Sequence, residues 1–415
     1  MKARAARLPA YALFAALLAS AGLPIYIHAP KFYVDEYGVS LTALGAVLFG
    51  LRLLDVVQDP ALGWLAQALR AQRAAAVAVA ATVMALAMMG LFAVPAPVAP
   101  VLWFALMLTL VFSSFSFLTI CFYAQGVAKA DTLPGAGHLT LARWRETGAL
   151  LGVCLASVAP LLLGMALDRP FVGFAVGFVV LALWAATAMR GEWRAAGLPV
   201  AGGFGIVLRD LQARRLLLIA LVNAAPVAVT STLFLFYVEL ALDAPGWEGP
   251  LLLLFFLAAA GAAPLWGILA ERHGARRVLL IAMALGIVAF GGALLLGPGD
   301  VMLFALVCLA SGAVLGADLT LLPAMFAARM AQISPSAAEG FGLWSFVSKL
   351  TLAFAAVALL PALERAGLQT GASDSSETSI SLLIWFYAGV PCALKLLAIA
   401  LLASANASAN DVEKP

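Results

Sequence analysis

Twelve stretches of about twenty largely apolar residues follow one another along this chain, each long enough to cross a hydrocarbon layer roughly 30 Å thick. They lie roughly at 9–32, 41–65, 74–94, 100–125, 140–165, 171–189, 215–241, 250–270, 277–297, 301–328, 340–362 and 379–404. Backbone that enters hydrocarbon must satisfy its own N–H and C=O groups, which leaves helices or closed barrels, and runs of this length select helices. Composition points the same way. Of the 415 residues, 64% are hydrophobic and 11% charged, against about 25% charged in a soluble domain. The sequence therefore predicts an all-α membrane protein with twelve transmembrane helices.

Assigning loops to alternate sides tests the count. One side, with both termini, collects sixteen Lys and Arg, and the other holds only Lys31, Arg169 and Arg365. That bias predicts cytoplasmic termini and, with it, a multi-pass protein of the bacterial cytoplasmic (inner) membrane. The opening "MKARAARLPAYALFAALLAS" imitates a secretory signal, but it continues without a break into a first span and is read as that span. A basic loop, "RGEWRAAGLPVAGGFGIVLRDLQARR", separates six spans from six. The expected divisions are an N-terminal bundle (1–189), a middle loop (190–214), a C-terminal bundle (215–404) and a disordered tail (405–415). The halves echo each other at an offset of 204: Pro60/Pro264, Gly63/Gly267, Leu65/Leu269, Ala66/Ala270 and Arg73/Arg277. Two parallel six-helix repeats describe a major-facilitator fold.

Several function classes drop away. Cys121, Cys154, Cys308 and Cys392 sit singly in apolar stretches and only three histidines are present, so neither a disulfide framework nor a zinc site is expected. No GxxxxGK[ST] loop points to a nucleotide-driven pump. No nucleophile–base pair suggests an enzyme, and nothing suggests nucleic acid or a resident cofactor.

Charge inside a span costs about 2.5–3.5 kcal/mol at the helix centre, so each such residue needs a reason. The densest group is "GLRLLDVVQDPALGW" at Gly50–Trp64. At 100° per residue, Asp59 falls about 20° from Arg52 around the helix, Asp55 about 60° and Gln58 about 120°. All four share one wedge, which should face the interior or water. Pro60 cannot donate to the carbonyl of Val56, leaving an acceptor beside the carboxylates. Two carboxylates one turn apart repel when ionised, and a cation, a proton or a positive side chain relieves that repulsion. The wedge is either a structural pair with Arg52 or a site where a small cation binds and leaves. Two acids beside one local base favour the second.

The remaining candidates are scattered. Lys349, near mid-depth in the eleventh span, is expected to seek Asp55 or Asp59. Asp318 suits a packing hydrogen bond or a functional role, and the Arg145–Glu146 dipeptide suits structural pairing or solute contact. Lys395 is expected to snorkel towards the cytoplasmic face, and Glu239 to lie near the outer end of the seventh span. Tyr26, His28, Phe115, Tyr123, Asn223 and Trp344 could line a mildly polar solute path.

With "FYVDEYGVSLTALG", "RLLDVVQDPALGW", "RETGALLG", "STLFLFYVEL", "APLWGILAERHGARR", "LGADLTLLPA" and "GLWSFVSKLTLAFA", the chain resembles the glycoside–pentoside–hexuronide:cation symporters of the major facilitator superfamily, which are of melibiose-carrier type. The resemblance runs from about Leu8 to Leu402. It implies that Asp55 and Asp59 hold the cation, with Gln58 where asparagine is usual and a hydroxyl from Ser116. It implies that Lys349 and Arg145 are the family's basic residues of helices eleven and five. Departures accompany it. The two carboxylates that read the sugar in the melibiose carrier correspond to Ala19 and Thr119, a tryptophan position corresponds to Tyr123, and "PAMFAARMAQ" replaces an acidic loop.

The expectation is a secondary transporter coupling a sodium ion or proton to a small solute, a sugar or glycoside, by alternating access. Cation ligands would be Asp55, Asp59, Gln58 and Ser116. Coupling and solute residues would be Lys349, Arg145, Tyr123, Thr119, Arg52, Asp318, Tyr26 and Trp344. Alternatives are a carrier of an amphipathic solute such as a lysolipid, and a non-transporting assembly or sensor protein. Partners are then the solute, the cation and the bilayer, and the sequence does not specify an oligomeric state.

Overall fold

A computed structural model of the protein describes residues 7–193, 203–333, 337–365 and 377–404. Part of the middle loop (194–202) and the expected tail (405–415) lie outside the described residues. Those described form α-helices joined by short turns, with no β-strand among them. Helices α1 (Leu8–Ser20) and α2 (Leu23–Tyr37) are followed by α3 (Leu41–Ala68), α4 (Arg73–Phe92), α5 (Pro100–Ala130), α6 (Gly137–Gly164) and α7 (Pro170–Met189). A short α8 (Phe204–Arg209) leads into α9 (Leu211–Phe236), α10 (Glu248–His273), α11 (Ala275–Ala293) and α12 (Val301–Ile333). Then come α13 (Ala338–Arg365), α14 (Glu377–Ile384) and α15 (Val390–Ala403). Two π-helical turns, Tyr237–Ala241 and Trp385–Gly389, extend α9 and join α14 to α15.

Nine helices among the described residues are long and apolar enough to cross a membrane. The other three predicted spans correspond to α1–α2, α3 and α13. The first is broken at Gly22, where the chain kinks ahead of Pro24 and restarts as α2. In α3 the charged wedge interrupts the apolar run, although the helix continues for 28 residues. Helix α13 is equally long. Local signals set these ends. Gly38, at φ +62°, closes α2, its N–H bonding Val34 O and that of Val39 bonding Tyr33 O; this left-handed residue is nearly free of strain only as glycine. Ser40 then caps α3, its hydroxyl accepting from Ala43 N–H at 3.3 Å. The echoed segments fall alike, Pro60 inside α3 and Pro264 inside α10, each ahead of a tight link to the next helix: a 3₁₀ turn at Arg70–Gln72 and Gly274 at φ +86°. Their arginines differ. Arg277 is exposed, whereas Arg73 is buried and donates to Gln125 at 3.1 Å.

The chain divides into two compact units. The first comprises residues up to Ala213 together with Phe326–Phe346; the second comprises Arg214–Met325 and the residues from Val347 on. In the first unit α6 lies directly on α1. A Cβ at Gly148 would come within 2.1 Å of Ala12 O, and one at Gly152 within 2.5 Å of Ala16 O. Small residues four apart let two backbones touch, which is how helices associate where lipid supplies no hydrophobic drive. Tyr11, Phe14 and Phe122 pack above this contact, with ring centroids 5.0 and 5.6 Å from Phe122. The second unit repeats the device between α12 and α10. Gly312 and Gly316 press on Phe255 O and Ala259 O, and Trp266 donates to Ala313 O at 2.7 Å. Its core centres on Tyr237 and Tyr387, stacked at 4.1 Å, with Tyr237 donating to Ala293 O at 2.6 Å.

Candidate ion and solute site

Helix α3 places its polar wedge in the interior of the first unit. Asp55 is 6% exposed and Asp59 fully buried, while Arg52 and Gln58 are half-buried. Gln58 Nε2 donates to Asp55 Oδ1 at 2.8 Å, and Ser113 of α5 donates to Gln58 Oε1 at 2.9 Å. Asp59 Oδ2 accepts from the Ser345 hydroxyl of α13 at 2.5 Å. Gln58 and Ser345 are neutral donors to these two carboxylates. Ser113, Ser116, Thr119 and Tyr123 share one side of α5, within about 120° of the helix circumference. Ser116 is fully buried on that side.

The start of α13 meets α3 through glycine. A Cβ on Gly63 would stand 3.1 Å from Gly342 Cα, and one on Gly342 would stand 3.1 Å from Asp59 O. The missing side chains bring Ser345 within reach of Asp59. Lys349 follows Ser345 by one turn on α13 and is half-buried.

A second polar group lies between α5 and α6. Arg145 Nε donates to Glu146 Oε1 at 2.6 Å, and the Tyr123 hydroxyl donates to the same oxygen at 3.0 Å. The guanidinium carbon stands 3.7 Å from the Tyr123 ring centre, a cation–π geometry, and Phe341 packs 5.0 Å from that ring. Arg145 and Glu146 are each 4% exposed, so this is a buried pair rather than a surface one. Arg145 Nη2 and Thr119 Oγ1 are buried without a hydrogen-bond partner among the described residues. Trp344 packs against Phe326 with the rings tilted and centroids 4.9 Å apart. Tyr26 belongs to α2, but its side chain lies outside the described residues.

Other candidates have different places. His28 Nε2 lies 3.0 Å from Ser157 O among Phe171 and Phe174. Glu239 sits within the π-turn after α9. Lys395 does not snorkel. It is 1% exposed and donates to Asp318 Oδ2 and Asn223 Oδ1 inside the second unit, because two oxygens within its reach satisfy the ammonium better than a stretch to the membrane face. Asp318 and Asn223 are thereby committed to that cluster. Sequence reasoning missed Ser113 and Ser345. The sequence shows Ser345 one helical turn before Lys349 and just after Gly342, but not its partner across the fold.

The sequence model of a family described as MFS/sugar transport protein matches residues 9–406. No curated protein matches the chain. Among solved structures it is similar to a bacterial homologue of the iron transporter ferroportin in its outward-facing state, at 15% identity and a TM-score of 0.67, over 95% of this chain and 98% of that one. The same homologue with soaked iron gives 16% identity, a TM-score of 0.67 and the same coverage. At that identity the likeness speaks for the fold.

Proposed function

This chain belongs to the MFS/sugar transport protein family, and on that premise we propose that it is a cation-coupled symporter of a small solute, a sugar or glycoside. The observation that carries the reading is the acidic pair on α3, two carboxylates buried one helical turn apart. A sodium ion or proton taken up between Asp55 and Asp59 neutralises one of their two charges, helped by Gln58 and by Ser116 on α5. Discharge removes a repulsion that disfavours the occluded state, the solute binds, and the loaded carrier converts to the opposite-facing state. Thr119, Tyr123, Arg145 and Trp344 are the proposed solute contacts, and Arg52 the residue that answers to the charge on the pair. The excess of Lys and Arg on one side supports cytoplasmic termini in the inner membrane.

The test is uptake into proteoliposomes under an imposed sodium or proton gradient, with the solute chosen by a thermal-shift screen of sugars and glycosides. Asp59→Asn is expected to abolish gradient-driven accumulation while leaving solute exchange. Accumulation that survives in that variant would falsify the reading.

One observation favours a second reading. Arg145 Nη2 is a buried donor with no partner among the described residues, and the resemblance implies Ala19 and Thr119 at the positions of the sugar-reading carboxylates. An anionic head group suits that donor. Stabilisation by a lysophospholipid, and by no glycoside, would replace the sugar with an amphipathic solute.

A further inference from the structure

The second unit holds a charged cluster that the α3 site does not use. Lys395 of α15, Asp318 of α12 and Asn223 of α9 are 1%, 7% and 4% exposed. Lys395 Nζ donates to Asp318 Oδ2 at 2.5 Å and to Asn223 Oδ1 at 2.7 Å. Beside it lies a small cavity walled by residues that include Thr230, Ser311, Asp318 and Lys395. Asp318 Oδ1, the second oxygen of that carboxylate, is buried and has no hydrogen-bond partner among the described residues.

Most of the wall is apolar, and its uncharged polar members, Thr230 and Ser311, offer acceptors. The Thr230 hydroxyl gives its hydrogen to Pro226 O at 3.0 Å, and that of Ser311 to Val307 O at 2.6 Å. What both can turn to the cavity is lone pairs. Helix α10 adds Phe255 and α11 adds Phe290, neither of them charged. Gly286 of α11 leaves room for the lysine stem, since a Cβ there would stand 3.8 Å from Lys395 Cε. Oxygen acceptors gathered around one positive charge are the surroundings a hard cation takes. As a device for stability alone the pair is a poor choice. Both ions lose hydration on burial, and apolar residues of similar volume serve as well or better.

We propose that Asp318, Asn223, Ser311 and Thr230 form a site for a small monovalent cation, filled in this state by the tethered ammonium of Lys395. A tethered cation keeps the carboxylate of the second unit neutralised without drawing an ion from solution. Coupling to a gradient is then left to the first unit. The inference does not depend on which solute is carried.

Removing the tether should expose the site. Lys395→Ala is purified and unfolded by heat in sodium, ammonium or choline chloride at equal ionic strength, with unsubstituted protein and Asp318→Asn/Lys395→Met alongside. Lys395→Ala is expected to unfold about 2–4 °C higher in sodium or ammonium than in choline, beyond any difference the unsubstituted protein shows. The double variant should show no such gain. Equal unfolding temperatures for Lys395→Ala in all three salts overturn the proposal. If Lys395→Ala is not recovered folded in choline, recovery as monodisperse protein in sodium or ammonium supports it. Failure in all three salts while the double variant stays monodisperse counts against it. The α3 carboxylates are intact in every variant, so these outcomes leave the proposed coupling mechanism untouched.

Discussion

Ser345 and a cation at Asp59 would compete for one oxygen. The serine hydrogen already points at Oδ2, and a positive ion arriving there repels it. A hydrogen bond to a charged group contributes about 1.5–3 kcal/mol, and about 1.4 kcal/mol is tenfold in affinity. Ser345→Ala is therefore expected to raise the affinity for the coupling cation about tenfold, read as the concentration giving half-maximal thermal stabilisation. A drop in affinity would show that the serine oxygen is a ligand instead. The α3 wedge was legible in the sequence because a helix fixes the angle between Arg52, Asp55, Gln58 and Asp59. Ser345 was not, because it reaches Asp59 across 286 residues. Lys395 was misread for the same reason. Its partners Asn223 and Asp318 are 172 and 77 residues away, and nothing local signals that the ammonium turns inward.

At the level of helices, the close approach of α6 to α1 depends on Gly148, whose added Cβ would collide with Ala12 O. Backbone cannot yield as a flexible side chain does. Gly148→Ala is expected to destabilise the protein by about 1–3 kcal/mol, as overpacking typically does. Gly177 of α7 has nothing within 4 Å of an added Cβ, so Gly177→Ala should be neutral or stabilise by up to about 1 kcal/mol. Thermal unfolding of the two side by side checks the contrast, and equal behaviour would count against backbone contact. Gly342 poses a different question, because its neighbours are Gly63 and the backbone of Asp59. Gly342→Val should wedge α13 away from α3 and speed labelling of a cysteine at Ser345, measured in a background lacking the native cysteines. Helix positions followed well from apolar run length. The break in the first span did not, although Gly22, Pro24 and Pro30 were all in view. Proline and glycine are common in membrane helices, where neighbouring chains re-satisfy the backbone.

For the molecule as a whole, the succession of spans was legible, because a bilayer imposes a length and a polarity on every crossing, and so was membership of the broad transporter superfamily. Which residues gather into which unit was not. Phe326–Phe346 belongs by sequence to the second half yet clusters with the first unit. It is held there partly by Arg329, which forms an ion pair with Asp210 just ahead of α9. The Arg329 hydrogen bonds hold the Asp210 carboxyl below its usual range, with Ala213 N–H donating to it as well at 2.7 Å. A depressed folded-state pKa means that the unfolded chain takes up the proton first as pH falls. The pair thus contributes in full above the ordinary carboxylate range, and its contribution fades as pH drops through the folded value. Asp210→Asn should flatten the acid side of the stability profile between about pH 5 and 3, with little change in shape above it. An unaltered acid limb would show that the pair carries no linkage.

The π-turn at Trp385–Gly389 has a consequence further along the same rod. Such a turn spends one residue more than an α turn does, and every later side chain is rotated by about 100° relative to an uninterrupted helix. Lys395 lies beyond it, Tyr387 within it. One surplus residue thus acts as a phase shift, letting a single helix turn its tyrosine to a partner ring and its lysine to a carboxylate that an unbroken spiral could not serve together. Deleting a residue there would leave the helix intact and aim the lysine at the wrong neighbour.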